Sequence, residues 1–248
     1  VDAVRRQMSG DFPLMGPGDY AVIEDTGKEG NPLVACTCLW RREWECEGIA
    51  FGVGQPEFVA THPDYRNRGL IRALFDMVHA RSEAEGHLVQ GITGIPYFYR
   101  QFGYEYALEL AGRKVTYLSL ISKAEGSTPE AYALRAATNE DIPVLMELYN
   151  RQRAESMIWY AASERFWRYQ IKEEKDPTVA GKQMCVRMIV DDAGAVQGYL
   201  MVATKRWGKS LHVYALNVAD GVSWQAVVPP LLRALQAYGL QIPVVKPD

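Results

Sequence analysis

The stretch from Phe58 to Arg72, FVATHPDYRNRGLIR, spaces its residue types in a way that could hold a diphosphate. A β-rich run, Phe58 to Thr61, enters a Pro-marked turn at His62–Pro63. Arg66-Asn67-Arg68-Gly69 follows, and then an apolar periodicity that predicts a helix from Leu70 to about Glu85. Amides at the start of a helix have no intrahelical acceptor, and the macrodipole adds partial positive charge there. A strand, a basic glycine-containing turn and a helix start, in that order, therefore make a seat for a pyrophosphate. Gly69 tolerates unusual dihedrals and lets the backbone approach a phosphate closely. Arg66, Arg68 and Arg72 add charge and attract an anion from a distance. The plainer alternative is a charged turn that merely opens a helix. A second stretch, YFYRQFGYEY at 97–106, is dense in phenols. A phenol with a reference pKa near ~10 stays protonated at neutral pH and can serve as a proton donor. Most of these rings must be core, and the residues alone do not separate Tyr97, Tyr99 and Tyr104.

The 248 residues leave room for one large domain or two small ones. Net charge is −3, so no global basic field of the nucleic-acid-binding kind exists, and the local positive charge suits a small anionic ligand better. No signal peptide or long apolar segment is visible, which makes a reducing cytoplasm the default and a membrane partner unexpected. Cys36-x-Cys38 stands in a strand-like run, where alternation puts both thiols on one face. No second pair completes a zinc site, so buried free thiols are expected and no metal is assigned.

The elements around these residues read as α/β. Val1–Met8 ends a helix, Tyr20–Glu24 is a strand, and 25–31 is a hairpin turn. Pro32–Arg41 is a second strand, and Arg41–Gly48 a polar turn or short pairing segment. Ile49–Thr61 is a long β-like stretch, with a bulge expected near Gly54–Pro56. Leu70, Ile71, Leu74, Phe75 and Val78 mark the buried face of the following helix. Leu88–Ile92 is a short strand expected to lie parallel to Phe58–Thr61. Thr93–Phe102 is an aromatic helix or turn, and Tyr104–Leu110 with Arg113–Leu120 a hairpin. Lys123–Pro129 is the best boundary, giving a first domain of 1–122 and a second of 130–248. In the second, Thr138 caps a helix from Asp141 to Arg153. Further helices are expected at Phe166–Lys172 and Trp224–Tyr238, the latter kinked or broken by Pro229-Pro230. Strands are expected at Met184–Val190, Val196–Thr204 and Leu211–Val218.

Arg66-Asn67-Arg68-Gly69-Leu70-Ile71 resembles the [QR]-x-x-G-x-[GA] signature of the GNAT superfamily of acetyl-CoA-dependent N-acetyltransferases, with Ile in place of the last Gly or Ala. Tyr99-Arg100-Gln101-Phe102-Gly103-Tyr104 resembles the Tyr-x-x-Phe-Gly-Tyr segment of that family's enhanced intracellular survival (Eis) branch. The two motifs follow in the family's order, and the likeness covers about residues 50–110. It implies a GNAT fold, a mixed central sheet with splayed fourth and fifth strands flanked by helices, followed by a second, degenerate GNAT-like unit. The family's opening strand and helix, and the branch's sterol-carrier-like domain, have no counterpart here, which implies a fragment of a longer protein. The resemblance places acetyl-CoA against the strand edge at Val59, Ala60 and Thr61, and its pyrophosphate on the amides of Asn67 through Arg72. It picks Tyr99 as general acid. Glu57, on the strand equivalent to one that carries a base in many relatives, is the candidate base. Alternation puts Glu57 on the face of Val59 and Thr61 if no bulge intervenes. The implied acceptor is a small-molecule amine or a lysine side chain, with polycationic amines favoured. Tyr97, Phe98 and Trp40 or Trp44 would wall its site, with Glu24, Asp25 or Glu57 supplying negative charge. A homo-oligomer is compatible with this reading. An acetyl-CoA sensor or scaffold without turnover is the alternative.

Overall fold

The computed structural model describes residues 2–108, 116–124, 129–172 and 182–246. In chain order the elements are α1 (Asp2–Met8), β1 (Tyr20–Glu24), β2 (Leu33–Cys46), β3 (Ile49–Thr61), α2 (Leu70–Ala84), β4 (Val89–Gln90), β5 (Tyr132–Ala136), α3 (Ile142–Arg151), β6 (Ile158–Tyr160), α4 (Glu164–Ile171), β7 (Met184–Asp191), β8 (Val196–Ala203), β9 (Arg206–Trp207), β10 (Val213–Val218), α5 (Trp224–Gln241) and β11 (Val244–Lys246). They fall into two compact units. One comprises Val4–Gly112 with Ser156–Ala161; the other takes in Arg113–Glu155 and Ala162–Asp248.

The first unit is built on a sheet of order β1-β2-β3-β4, with β6 paired to β2. β2 and β3 close at Glu47–Gly48, whose φ values of 49° and 85° belong to a two-residue hairpin turn. Because that turn needs only two residues, pairing runs on through Arg41–Cys46, so of the polar turn and the short pairing segment expected there it is the pairing segment that forms. The expected bulge near Gly54–Pro56 is absent. Arg41↔Gly54, Trp40↔Gln55 and Leu39↔Pro56 are in regular register. The carbonyls of Gly52 and Gly54 face β4, accepting from Leu88 and Gly91 at 3.0 Å each. Pro56, two residues further on, turns its nitrogen to that same side, so its missing N–H costs β2 nothing. Gly54 is there for another reason: a Cβ would strike Ser82 Oγ of α2, which crosses the sheet at close range.

The bulge lies instead at Glu57–Ala60. Cys38 pairs with Glu57 but Cys36 with Ala60, so β3 carries one surplus residue, and Phe58 has φ 53°. Side chains of β2 serve the displaced carbonyls: Thr37 Oγ1 (3.0 Å) and Cys38 Sγ (3.5 Å) donate to Glu57 O, and Cys36 Sγ (3.5 Å) to Phe58 O. Both thiols do share one strand face, and burial pushes the Cys38 thiol up to about 12.

β4 is parallel to β3, as expected, but only against Val53 and Gly54 rather than Phe58–Thr61. Its continuation, Gly91-Ile92-Thr93-Gly94-Ile95-Pro96, has poor strand chemistry, and β3 carries its bulge just beyond the paired residues. Among the described residues nothing pairs with that edge of β3 beyond Gly54. The expected hairpin at Tyr104–Leu110 and Arg113–Leu120 falls partly outside the described residues. The described parts hold no strand, and Leu118–Leu120 is a 3-10 turn.

In the second unit an antiparallel sheet of order β10-β8-β7-β5 packs Ile189, Leu200 and Val202 against Val227, Leu231 and Leu235 of α5. Thr138 closes a capping box: its amide donates to Asp141 Oδ2 at 2.7 Å. Asp141 also takes both prongs of Arg135 at 2.7 Å. α5 runs through Pro229 and Pro230 as one helix, so of the kink or break expected there the break does not occur. The helix bonds they forgo reach back only to its first turn, and burial of Val227, Pro230 and Leu231 holds the segment helical.

Candidate active site

The turn before α2 is anchored from below. Tyr65 is buried at the end of a 3-10 turn, Pro63–Tyr65, and its hydroxyl donates to Asp25 Oδ2 at 2.5 Å. Lys28 and Arg68 lie over its ring at 5.0 and 4.7 Å. Asp25 thus serves the turn and not the acceptor site. Asn67 and Gly69 adopt left-handed φ of 59° and 75°, reversing the chain into α2 with Gly69 as N-cap. The first helical bond is Ala73 N to Gly69 O. The amides of Leu70, Ile71 and Arg72 precede it and open outward from the helix start. The three arginines are not equivalent. Arg68 donates to Asp64 O (2.9 Å), and Arg72 to Gln101 O (3.4 Å) while lying on the Phe102 ring (5.2 Å). Arg66 is exposed with no side-chain partner among the described residues.

Along the open edge of β3 the bulge sets which groups face outward. His62 N donates to Val34 O, so His62 and, two residues back, Ala60 direct their backbone groups to β2. Val59 and Thr61 therefore present N–H and C=O to the unpaired side. The same surplus residue separates Glu57 from them. Glu57 shares its sheet face with Ala60, not with Val59 and Thr61 as an unbulged strand would have it.

Glu57 is half-buried, and a relay supports it: Arg42 Nε donates to Gln55 Oε1 (2.5 Å), and Gln55 Nε2 to Glu57 Oε1 (2.6 Å). Burial pushes its carboxyl above the usual carboxylate value, against the opposing pull of Gln55, Arg42 and the Phe58 amide. Tyr99 opens the 3-10 turn Tyr99–Phe102, its ring against Phe98 (4.9 Å) and Phe75 of α2 (5.9 Å). Burial first, then the charge of Glu57, raises its phenol above the ordinary value. The fold thus brings Glu57 into electrostatic range of Tyr99. The proposed acceptor walls have different ring neighbours. Trp40 packs with Phe12 (5.2 Å) and Phe58 (6.4 Å), Trp44 with Phe51 (6.5 Å), and Tyr97 is 75% exposed against Tyr106 (6.2 Å).

Sequence reasoning missed Arg42 and Gln55, although a hairpin closing at Glu47–Gly48 places Trp40 opposite Gln55 and Arg42 two pairs nearer the turn, on the same face. It also missed His79, one turn after Phe75. His79 Nε2 lies 2.8 Å from Tyr104 Oη, which donates to Gln90 Oε1 at 3.4 Å. Burial lowers the His79 pKa, which favours the neutral ring. These groups border a cleft of about 450 Å³.

Residues 2–107 match the family described as acetyltransferase (GNAT) domain, so this part of the chain carries a GNAT acetyltransferase domain. The fold resembles that of a probable N-acyltransferase, a conserved protein of unknown function from Enterococcus faecalis V583. That match has a TM-score of 0.57 and 16% identity over 84% of this chain and 50% of the other. It also resembles a GCN5-related N-acetyltransferase from Kribbella flavida (TM-score 0.51, 16% identity, 88% of this chain and 51% of that one). At such identity the likeness is one of fold, and the chain spans about half the length of each. No curated protein sequence matches it. Among the described residues no helix is long and apolar enough to cross a membrane.

Proposed function

We propose that the chain is an N-acetyltransferase of the Eis-like branch, moving acetyl from acetyl-CoA to a primary amine by direct attack in a ternary complex. The observation that carries this is the edge of β3 beyond Gly54, which no described residue pairs, with the Phe58 bulge in it and the start of α2 following it. The residues fit acetyl-CoA. Val59 and Thr61 offer an extended edge to a pantetheine arm, and amides from Asn67 to Arg72, with Arg66 free to move, suit its diphosphate. The thioester supplies the activated acetyl group. Glu57 takes a proton from the incoming ammonium, leaving an uncharged nitrogen to attack the carbonyl carbon. An outward amide of β3 stabilises the oxyanion. As the C–S bond breaks, Tyr99 gives its proton to the sulfur, and the proton that the nitrogen carries in excess after attack passes to the phenolate, leaving the neutral amide. The acceptor in this reading is a small polycationic amine or a lysine side chain, in the cytoplasm. The second unit is read as a degenerate GNAT-like domain with a structural role.

A thiol-release assay over a panel of amines tests the proposal. Release that requires the amine and vanishes in Tyr99→Phe supports it. One observation favours a second reading: the Arg42 guanidinium, two hydrogen bonds from Glu57, opposes an arriving ammonium. An acetyl-CoA sensor without turnover would show CoA-dependent thermal stabilisation and no thiol release with any amine.

A further inference from the structure

We propose that the cleft between β5 and α5 in the second unit binds a small monocarboxylate with an apolar body. The cleft encloses about 420 Å³, within the range of small-ligand sites. Its position follows from the sheet order. α5 packs its buried stripe on Ile189 of β7 and on Leu200 and Val202 of β8, while β5 is the outermost strand. On the helix side Ala234 and Ala237 place two small side chains among Pro230, Arg233, Tyr238 and Gln241, which leaves space between them.

Three guanidiniums line it: Arg135, Arg187 and Arg233. Two are matched by carboxylates in two-pronged pairs, Arg135 by Asp141 (2.7 and 2.7 Å) and Arg233 by Glu130 (2.5 and 2.7 Å). Arg187 is half-buried, lies 5.3 Å over the Tyr238 ring and has no carboxylate partner among the described residues. Among the described residues these three guanidiniums meet two carboxylates, and Arg187 is the one that neither carboxylate reaches. A guanidinium fork takes a carboxylate through two parallel charge-assisted hydrogen bonds. Beside it Leu134, Val202, Pro230 and Ala234 form an apolar wall that an inorganic anion would leave bare. One negative charge and an apolar body complement both features. The cleft shares no residue with the acetyl-transfer site, so its test is independent of that reading.

Calorimetric titration of the full chain with sodium octanoate and sodium benzoate decides the matter, with 1-octanol, benzyl alcohol and inorganic phosphate as comparisons. Binding of a carboxylate at least tenfold tighter than its alcohol and than phosphate is expected. Arg187→Gln should weaken it at least tenfold, about 1.4 kcal/mol. Ala237→Phe, which fills the cleft from an exposed helix position and spares the guanidinium, should weaken it as much. If Arg187→Gln fails to fold by circular dichroism, Ala237→Phe decides alone. The proposal is overturned by silence with both carboxylates, by equal binding of alcohol or phosphate, or by full affinity in folded Ala237→Phe.

Discussion

Two junctions in this molecule use the same backbone device, a strand running through a short turn into a helix. At β3–α2 the turn carries Arg66, Arg68 and Gly69, and the strand is bulged just before it. At β10–α5 the turn is Ala219-Asp220-Gly221-Val222-Ser223, and the register shift lies at the far end of the strand, between Val213 and Ala215. Asp220 is 88% exposed on its side chain and 3.3 Å from Arg151. Both helix starts offer outward amides. Only the first combines them with positive charge in the turn and a bulge at the strand end beside it; β10, the end strand of its sheet, also has an edge that no described strand pairs. What distinguishes a candidate coenzyme seat from a structural connection is thus the sign of the turn's charge and the place of one surplus residue, not the connection itself.

The contrast can be broken most sharply at Tyr99. Tyr99→Phe should lower turnover by about 10²-fold, the scale of a lost general acid, with acetyl-CoA affinity unchanged in equilibrium binding; a wild-type rate would remove the acid assignment. Glu57 gives a smaller effect and a pH signature. A base must lose its proton to act, and burial holds this carboxyl above its ordinary value. The rate should therefore rise with pH through an inflection above the usual ~4.3 of glutamate, and Glu57→Gln should lower the rate and abolish the inflection. Next, Arg66→Ala with Arg68→Ala should weaken acetyl-CoA binding by about tenfold, a charge effect that shrinks with added salt, whereas Asp220→Ala should leave that binding alone. An Asp220→Ala variant that loses affinity would erase the distinction between the junctions.

The smallest effect is on stability. Arg135, then the Thr138 amide and hydroxyl, hold the Asp141 carboxyl below its usual value against the cost of burial. A depressed carboxyl stabilises the fold above its unfolded pKa of about 4 and loses that contribution as pH falls through the folded value. Asp141→Asn should cost about 2 kcal/mol at neutral pH and flatten the acid limb of a urea-midpoint profile, with no change in turnover.

Much of this was legible in the chain, because hydrophobic period and turn chemistry are local. The β3 span, the α2 start and the Thr138 cap follow from residues within a few positions of each other. The bulge was misplaced because Gly54 and Pro56 look like strand breakers, while their roles depend on neighbours distant in sequence: Ser82 for one, the end of β4 for the other. Phe58 carries no mark of its left-handed backbone. Pro229-Pro230 do not break α5, since propensity yielded to the packing of Val227, Leu231 and Leu235. Tyr99 could be separated from its neighbouring phenols only through resemblance. The Arg42–Gln55–Glu57 relay needed the hairpin register to be counted across the strands.

Gly54 touches none of the reacting groups, yet it sets how near α2 can lie to the sheet, since a methyl group there would collide with Ser82. The interval between helix tip and strand edge is consequently gauged from the middle of both elements. On the proposed reading, Gly54→Ala would lengthen that ruler: the nucleotide end would still find its anchorage, but the thioester would arrive out of line with its proton donor, and the loss would fall on turnover.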